Sequence, residues 1–560
     1  MSDQMRPIPF LKLLGQAMTE YKQKGSMFYV PFAKIEPVAT KVLIGGKQVE
    51  SPIGPAAGPH TQLAQNIIAA YAGGARCFEL KTVQILHGED LGIIKPCIYV
   101  NGEEAYNTEW STELTLEQAL EEYVKAWCAL KLLIKEFDLG DEDGFVFNIS
   151  VGYSLEGIQS VRLDYFLESM KDASSTDIFQ ACLADAISYL IDFEQITKEY
   201  IIEIDPQICD TVTLSTMHGC PVGEIESIVA HLLVNKRLNT YLKCNPTLLG
   251  QNEITAVFHN MGYEYLTFPE AMFQEDLGFN EAVALIRRLM LLAKEQELEF
   301  GVKLTNTFPV HNLGQELAGE MMYMSGPSLY PLAIGVAAKL ADALGEELRI
   351  SYSGGADIHN IKEIYDTGIY PITVSTYLLK PGGYKNLNKL NKAIQGVEAK
   401  KVLDLQSLKS LAALAGADKN YYKKQLNKKH KERKSGDALL CTRCNNCIDT
   451  CPNRANIPVQ ADEKKYILHL DALCNECGNC AIFCPSGYLP YKEKFTIFTD
   501  EADFHESDNP GISITERQLL RFEGKVFESE EETTTIPDDL LRIKEILRGN
   551  TFEEVRHCTL

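Results

Sequence analysis

Short apolar runs alternate with longer amphipathic stretches through the first two-thirds of the chain. The runs fall at 51–57, 76–82, 145–151, 211–216, 240–245, 300–305, 349–353 and 371–376. Each is rich in β-branched or aromatic residues or is bounded by Gly, Pro, Asn or Ser, as strands are. Between them lie stretches such as L-E-Q-A-L-E-E-Y-V-K-A-W and N-E-A-V-A-L-I-R-R-L-M-L-L-A-K. Their apolar residues recur at i, i+3 and i+4, the helical spacing. Eight strand–helix units predict an α/β fold, a TIM (β/α)8 barrel with insertions. A ninth apolar run, 263–268, either adds a strand or displaces one of the eight. A doubly wound sheet is the competing architecture. No G-x-G-x-x-G follows any predicted strand, so a Rossmann dinucleotide site is not supported.

Past residue 418 the pattern changes. Residues 419–436 carry eight Lys or Arg and one acid. They read as a solvated linker or as a docking strip for an acidic redox partner. The expected organisation is an N-terminal helical extension (1–44), the barrel (45–418), the basic linker (419–436), a small module (437–500) and an acidic C-terminal extension (501–560). The tail suggests a strand pair around 511–528 and a helix at 537–547.

Composition narrows the class. The 560 residues are 45% hydrophobic and 23% charged, ordinary for a globular protein, and the formal net charge is −23. That charge argues against nucleic acid as a main partner. No run is apolar enough to span a membrane, and the start lacks the pattern of a secretion signal. The 16 cysteines are not spaced as a secreted disulfide framework. A reducing cytoplasm is the expected location.

Eight of those cysteines form two copies of C-x2-C-x2-C-x3-C-P: Cys441, Cys444, Cys447 and Cys451, then Cys474, Cys477, Cys480 and Cys484. Structural zinc sites are the competing reading, but zinc prefers C-x2-C pairs at longer separation and leaves the trailing prolines unexplained. The segment resembles dicluster ferredoxin modules. That resemblance implies two [4Fe–4S] clusters with crossed ligands, because the fourth cysteine of each motif serves the other cluster. Cys441, Cys444, Cys447 and Cys484 would hold one, and Cys474, Cys477, Cys480 and Cys451 the other. The residues between the motifs suit a hairpin, making the module a small α+β ferredoxin-like domain.

Read together, S-P-I-G-P-A-A-G-P-H-T, A-G-G-A-R-C-F-E-L-K-T, S-G-P-S-L-Y-P-L, Y-S-G-G-A and T-V-S-T resemble the FMN-binding barrel of dihydroorotate and dihydropyrimidine dehydrogenases. The resemblance implies FMN beside Ala56, Ala57 and Gly58, with Lys81 contacting its ring. Lys243 and Lys303 both resemble a second flavin lysine, and the sequence alone does not choose between them. Ser325 and Gly326 match the family's flavin loop. Gly354, Gly355, Ser375 and Thr376 match its phosphate site. Asn107, Asn148, Asn306 and Thr307 are candidates for hydrogen-bonding a cyclic amide substrate. Ser154 stands where the family pattern has a further asparagine. For the proton that ring reduction requires, Cys220 is the candidate acid, with His218 as tuner or as the acid itself.

The order of barrel and dicluster module resembles iron–sulfur subunits assigned to selenate reduction and anaerobic purine breakdown (the uric acid reductase-like family). The signatures are M-R-P-I-P-F, G-P-A-A-G-P-H-T-Q-L-A-Q-N, T-L-S-T-M-H-G-C-P and C-N-E-C-G-N-C. The implied activity is an FMN/iron–sulfur oxidoreductase reducing a double bond of a purine- or pyrimidine-like ring, uric acid first among the candidates. The alternative is an electron-relay subunit of a molybdenum-hydroxylase or selenate-reductase complex with no substrate of its own. Longer relatives carry an FAD- and NAD(P)H-binding segment between barrel and module. The short linker here implies an NAD(P)H-oxidising flavoprotein subunit or a ferredoxin as donor, within an oligomer or hetero-complex.

Overall fold

The computed structural model describes residues 4–36, 42–86, 92–108, 111–152, 154–215, 219–423, 439, 441, 444–461, 464–515, 519–528 and 540–544. The eight predicted runs are eight strands: β1 (Ile53–Pro55), β2 (Cys77–Glu79), β3 (Val146–Val151), β4 (Thr211–Ser215), β5 (Asn239–Cys244), β6 (Phe300–Leu304), β7 (Arg349–Tyr352) and β8 (Ile372–Val374). They pair in parallel in the order β1-β8-β7-β6-β5-β4-β3-β2. The free edges of β1 and β2 meet, since the Arg76 N–H donates to the Ile53 carbonyl at 2.9 Å. This nearly closes the barrel, as a TIM barrel requires. The closure depends on Gly54, where a Cβ would sit 1.5 Å from the Cys77 carbonyl oxygen.

The amphipathic stretches are the outer helices. Leu116–Phe137 starts at Thr115, whose side chain accepts from the Gln118 N–H in a reciprocal capping box. Phe279–Glu295 buries Ala282, Ile286, Leu289 and Ala293, one stripe at helical spacing. The N-terminal helix Phe10–Lys24 buries Leu13, Leu14, Ala17 and Met18 in the same core.

Residues 263–268 form no strand. They are a loop under a feature the sequence reading did not foresee, a four-stranded antiparallel cap over the barrel mouth. Its strands are Ile98–Asn101, Glu104–Asn107, Met321–Ser325 and Phe308–His311. Buried Glu104 gathers the Tyr106, Tyr265 and Lys423 side chains and so ties cap, loop and linker start together.

The predicted hairpin between the cysteine motifs is present, with Asn456–Ala461 antiparallel to Lys464–Leu470. The sheet then runs on through Thr496–Phe498, Gly511–Ser513, Leu520–Phe522 and Lys525–Phe527. The acidic extension thus continues the module's own sheet. Residues 540–544 are helical. The module is not a separate bead. Arg454, fully buried, donates to the Phe28 and Ile448 carbonyls, and Arg6 grips Asp503 through two nitrogens at 2.7 and 2.8 Å. Residues 424–436 of the expected basic linker lie outside the described residues. Among the described residues no helix is long and apolar enough to cross a membrane.

Gly54→Ala should be among the most damaging small substitutions, because the added methyl must displace backbone rather than side chain. Overpacking of this kind costs about 1–3 kcal/mol or more. A clear fall in the thermal midpoint is expected, and an unchanged midpoint would show that the barrel is not closed here.

Candidate functional site

The C-terminal strand ends and the cap enclose a cavity of about 360 Å³, within the range of small-molecule sites. Ala56, Ala57 and Gly58 line it after β1, and Lys81 and Thr82 after β2. Ser215 and Lys243 contribute from β4 and β5, and Thr305, Asn306 and Thr307 follow β6. Ile98, Ala105, Tyr106, Asn107 and Tyr323 form the roof.

One end gathers glycine backbone, hydroxyls and a helix start. Gly326 and Gly355 have φ of +86° and +76°. A Cβ on Gly355 would lie 2.6 Å from the Gly326 carbonyl oxygen and 2.8 Å from the Tyr330 nitrogen. Bare backbone therefore packs against the start of the 15-residue helix Tyr330–Leu344. Ser325 Oγ and Thr376 Oγ1 stand 3.1 Å apart, and Ser375 lines the same end. The helix start and the hydroxyls of Ser325, Ser375 and Thr376 suit a phosphate. Gly354 does not join them. A Cβ there would meet the Ala333 Cβ at 2.2 Å, so this glycine serves close packing on that helix.

The two alternative lysines separate. Lys243 lines the cavity and, among the described residues, makes no hydrogen bond. Lys303, its register partner, is 1% exposed and turned into the barrel. Its ammonium meets Glu79 Oε2 at 3.0 Å, Thr373 Oγ1 at 2.7 Å and Ser351 Oγ at 3.0 Å. Burial pushes the Lys303 ammonium down in pKa against the pull of Glu79. The Glu79 carboxyl is held low by Lys303 and Lys243 despite its burial. Such a pair is costly to break from one side, about 3–5 kcal/mol, but it is not a cavity group.

The asparagines also divide. Asn107 lines the cavity with only a 3.5 Å bond from its amide to the Tyr323 carbonyl, and Thr307 lines it as well. Asn306 lines it but is committed, accepting from Ser215 Oγ and donating to Asn245 Oδ1. Asn148 lies below, donating to Thr213 Oγ1 at 2.7 Å. Ser154 caps the helix Leu155–Ile158 and stays out of the cavity.

Cys220 does not face the cavity. It borders a separate small pocket with Asp276, Asn245 and Thr247, on the far side of Lys243. The cause is local: Asp276 accepts from the Gly219 N–H, the Asn245 amide and the Thr247 hydroxyl, which holds the loop down. Burial and the Glu224 carboxylate push the Cys220 thiol up to about 11. His218 lies outside the described residues.

The eight motif cysteines ring two further cavities, divided across the motifs. Cys441, Cys444, Cys447 and Cys484 line one, and Cys451, Cys474, Cys477 and Cys480 the other. The thiols surround a space rather than converge: among the described residues no three metal-binding side chains stand close enough for a single ion. Two sets of four thiols, each drawn from both motifs, match the donors of [4Fe–4S] centres. Asn453, Asn456, Asn475 and Lys494 also line these cavities, positions that cysteine spacing does not reveal.

The second set touches the barrel cavity's wall. The Ile98 N–H donates to the Cys477 carbonyl at 3.1 Å. Cys477, Ile98, Ala105 and Leu379 share one apolar cluster, and the last three also line the barrel cavity. Asn475 donates to Glu113 at 2.7 Å, and Asn453 accepts from Asn66 at 3.1 Å.

Comparison with known proteins agrees with this layout. Residues 31–424 match the model described as "Oxidoreductase YgfK, N-terminal TIM-barrel domain". The chain belongs to the YgfK oxidoreductase family. Residues 440–489 match a 4Fe-4S dicluster domain, a span that holds all eight motif cysteines. Two relatives, both named "Putative oxidoreductase YgfK", come from Escherichia coli strain K12 and Escherichia coli O157:H7. Each is 43% identical over 477 residues, covering 82% of this chain and 46% of the relative. The match spans less than half the length of those relatives.

The sequence reading missed the roof, although its signal was present. Asn101-Gly102 between two alternating runs is a strong hairpin cue.

Two measurements check this geometry. With crossed ligation, Cys451→Ala/Cys480→Ala removes two ligands of one set and leaves about four irons of about eight. Cys451→Ala/Cys444→Ala damages both sets and leaves almost none; uncrossed ligation gives the reverse. Second, the protonated Cys220 thiol should alkylate slowly near neutrality, its rate rising as pH approaches about 11. A plateau near neutral pH in the Cys220 peptide would contradict the burial described.

Proposed function

We propose that this chain is an FMN- and iron–sulfur-dependent oxidoreductase that reduces a double bond of a purine- or pyrimidine-like ring, with uric acid the first candidate. The observation that carries this reading is the single apolar layer, Ile98, Leu379 and Cys477, between a cysteine-ringed cavity and a cationic ligand cavity. Such an arrangement suits a pocket supplied with single electrons from the module beside it.

FMN fits the residues present. Gly326, Gly355, Ser375 and Thr376 would take its phosphate, and Ala56, Ala57 and Gly58 would lie beside its ring. Lys81 and Lys243 would stabilise negative charge on the ring. When bound, FMN converts single electrons from iron–sulfur centres into the pair that a ring double bond requires. Asn107 and Thr307 keep polar groups for a cyclic amide beneath the cap. These uncommitted groups favour an enzyme with its own substrate over a pure relay.

A partner flavoprotein that oxidises NAD(P)H, or a ferredoxin, is the proposed electron source. The test is anaerobic: reduce the holoprotein, then offer urate, xanthine, uracil, orotate and selenate separately. Flavin reoxidation by a ring compound, urate foremost, is expected. Reoxidation by none of the rings would overturn the enzyme reading in favour of the relay.

A further inference from the structure

The two cysteine cavities are not equivalent. In the first, Cys444 is exposed and Cys441 half-buried; in the second all four cysteines are buried. The second cavity lies against the barrel through Cys477 and Ile98, and Gly478 packs there so tightly that a Cβ would sit 2.6 Å from the Pro96 Cβ. Among the described residues, neither cysteine cavity shares a lining residue with the barrel cavity, and it is Cys477 of the second that packs in one apolar cluster with the wall residues Ile98, Ala105 and Leu379. The first set therefore reaches solvent at Cys444 and Cys441, and the second lies towards the barrel cavity.

The solvent-facing rim carries positive charge. Lys465 is exposed and donates to Asn445 Oδ1 at 3.1 Å, and Asn445 lines the first cavity. Lys464 beside Lys465 is exposed too, while Lys494, 3% exposed, lies beneath this rim, donating to the Cys441 carbonyl at 3.0 Å and lining the same cavity. A cationic rim around an exposed redox edge recruits and orients an anionic protein rather than a small neutral reductant.

Resting on the reading that the cysteine cavities hold clusters, we propose that electrons enter only at the cavity of Cys441, Cys444, Cys447 and Cys484, from an acidic one-electron carrier protein. They reach the barrel only through the cavity of Cys451, Cys474, Cys477 and Cys480. Each encounter oxidises the carrier's iron–sulfur centre by one electron and reduces the outer centre by one, with no bond made or broken. Two encounters, with two protons from water, balance the reduction of one ring double bond.

The spectroscopic test needs no turnover. In the fully reduced wild-type holoprotein, a soluble gadolinium chelate should broaden one of the two cluster resonances and spare the other. The broadened resonance should disappear in Cys444→Ala and the spared one in Cys477→Ala. Equal broadening of both, or the opposite assignment, overturns the proposal. The partner's chemistry is tested with a reduced acidic ferredoxin as probe. Its rate of cluster reduction should fall with added salt and drop by about tenfold in Lys465→Glu. A rate indifferent to both would overturn the carrier assignment. A barrel that binds no flavin would defeat the proposed function but leave the broadening pattern unchanged, so the two failures are distinguishable.

Discussion

The hydrogen bond from the Ile98 N–H to the Cys477 carbonyl joins the cap of the barrel to the cysteine module. It places a cysteine-ringed cavity one side-chain layer from the mouth of a barrel. A redox centre must be shielded from water and still lie close to its acceptor. The cap meets both demands, since its Ile98–Asn101 strand touches the cysteine loop on one face and its Tyr106 and Asn107 roof the cavity on the other. The supports around this contact, Arg454 on Phe28, Arg6 on Asp503 and Asn475 on Glu113, keep the module from turning away.

Inside the barrel, an ordinary apolar filling gives way to Glu79, Thr213, Lys303 and Thr373. TIM barrel interiors are dominated by branched apolar side chains. The buried Lys303–Glu79 pair gives no clear gain in stability, because its desolvation offsets its attraction. It does place fixed charge beneath Lys243 and the cavity floor, so the two ends of the cavity differ in character. The first is set by buried ions, the second by bare backbone at Gly326 and Gly355.

The strand pattern was legible because the barrel strands are short, largely buried apolar runs set between helical stretches, and all eight predicted runs are strands. The cysteine sets were legible because their spacing is itself a ligand geometry. What stayed hidden depends on long-range placement. Lys243 and Lys303 occupy equivalent positions on neighbouring strands, and Glu79, Ser351 and Thr373, all distant in sequence, hold Lys303 inside the barrel. Asn148 and Asn306 look alike in sequence until Thr213, Ser215 and Asn245 claim their amides. Cys220 resembles a loop acid until Asp276 fixes its loop away from the cavity. The run 263–268 has the aromatic content of a strand but is a loop, with Tyr265 bound to Glu104 of the cap and Tyr263 to the Tyr421 carbonyl.

The central claim is that barrel and module form one redox unit joined at Cys477. It is tested most directly by mixing FMN-loaded protein anaerobically with a reduced ferredoxin too large to enter the cavity, and following flavin absorbance. The account predicts that the flavin bleaches rapidly in the wild type and no longer bleaches in Cys480→Ala, which still binds FMN. Equal bleaching in both would show that the clusters do not supply the cavity.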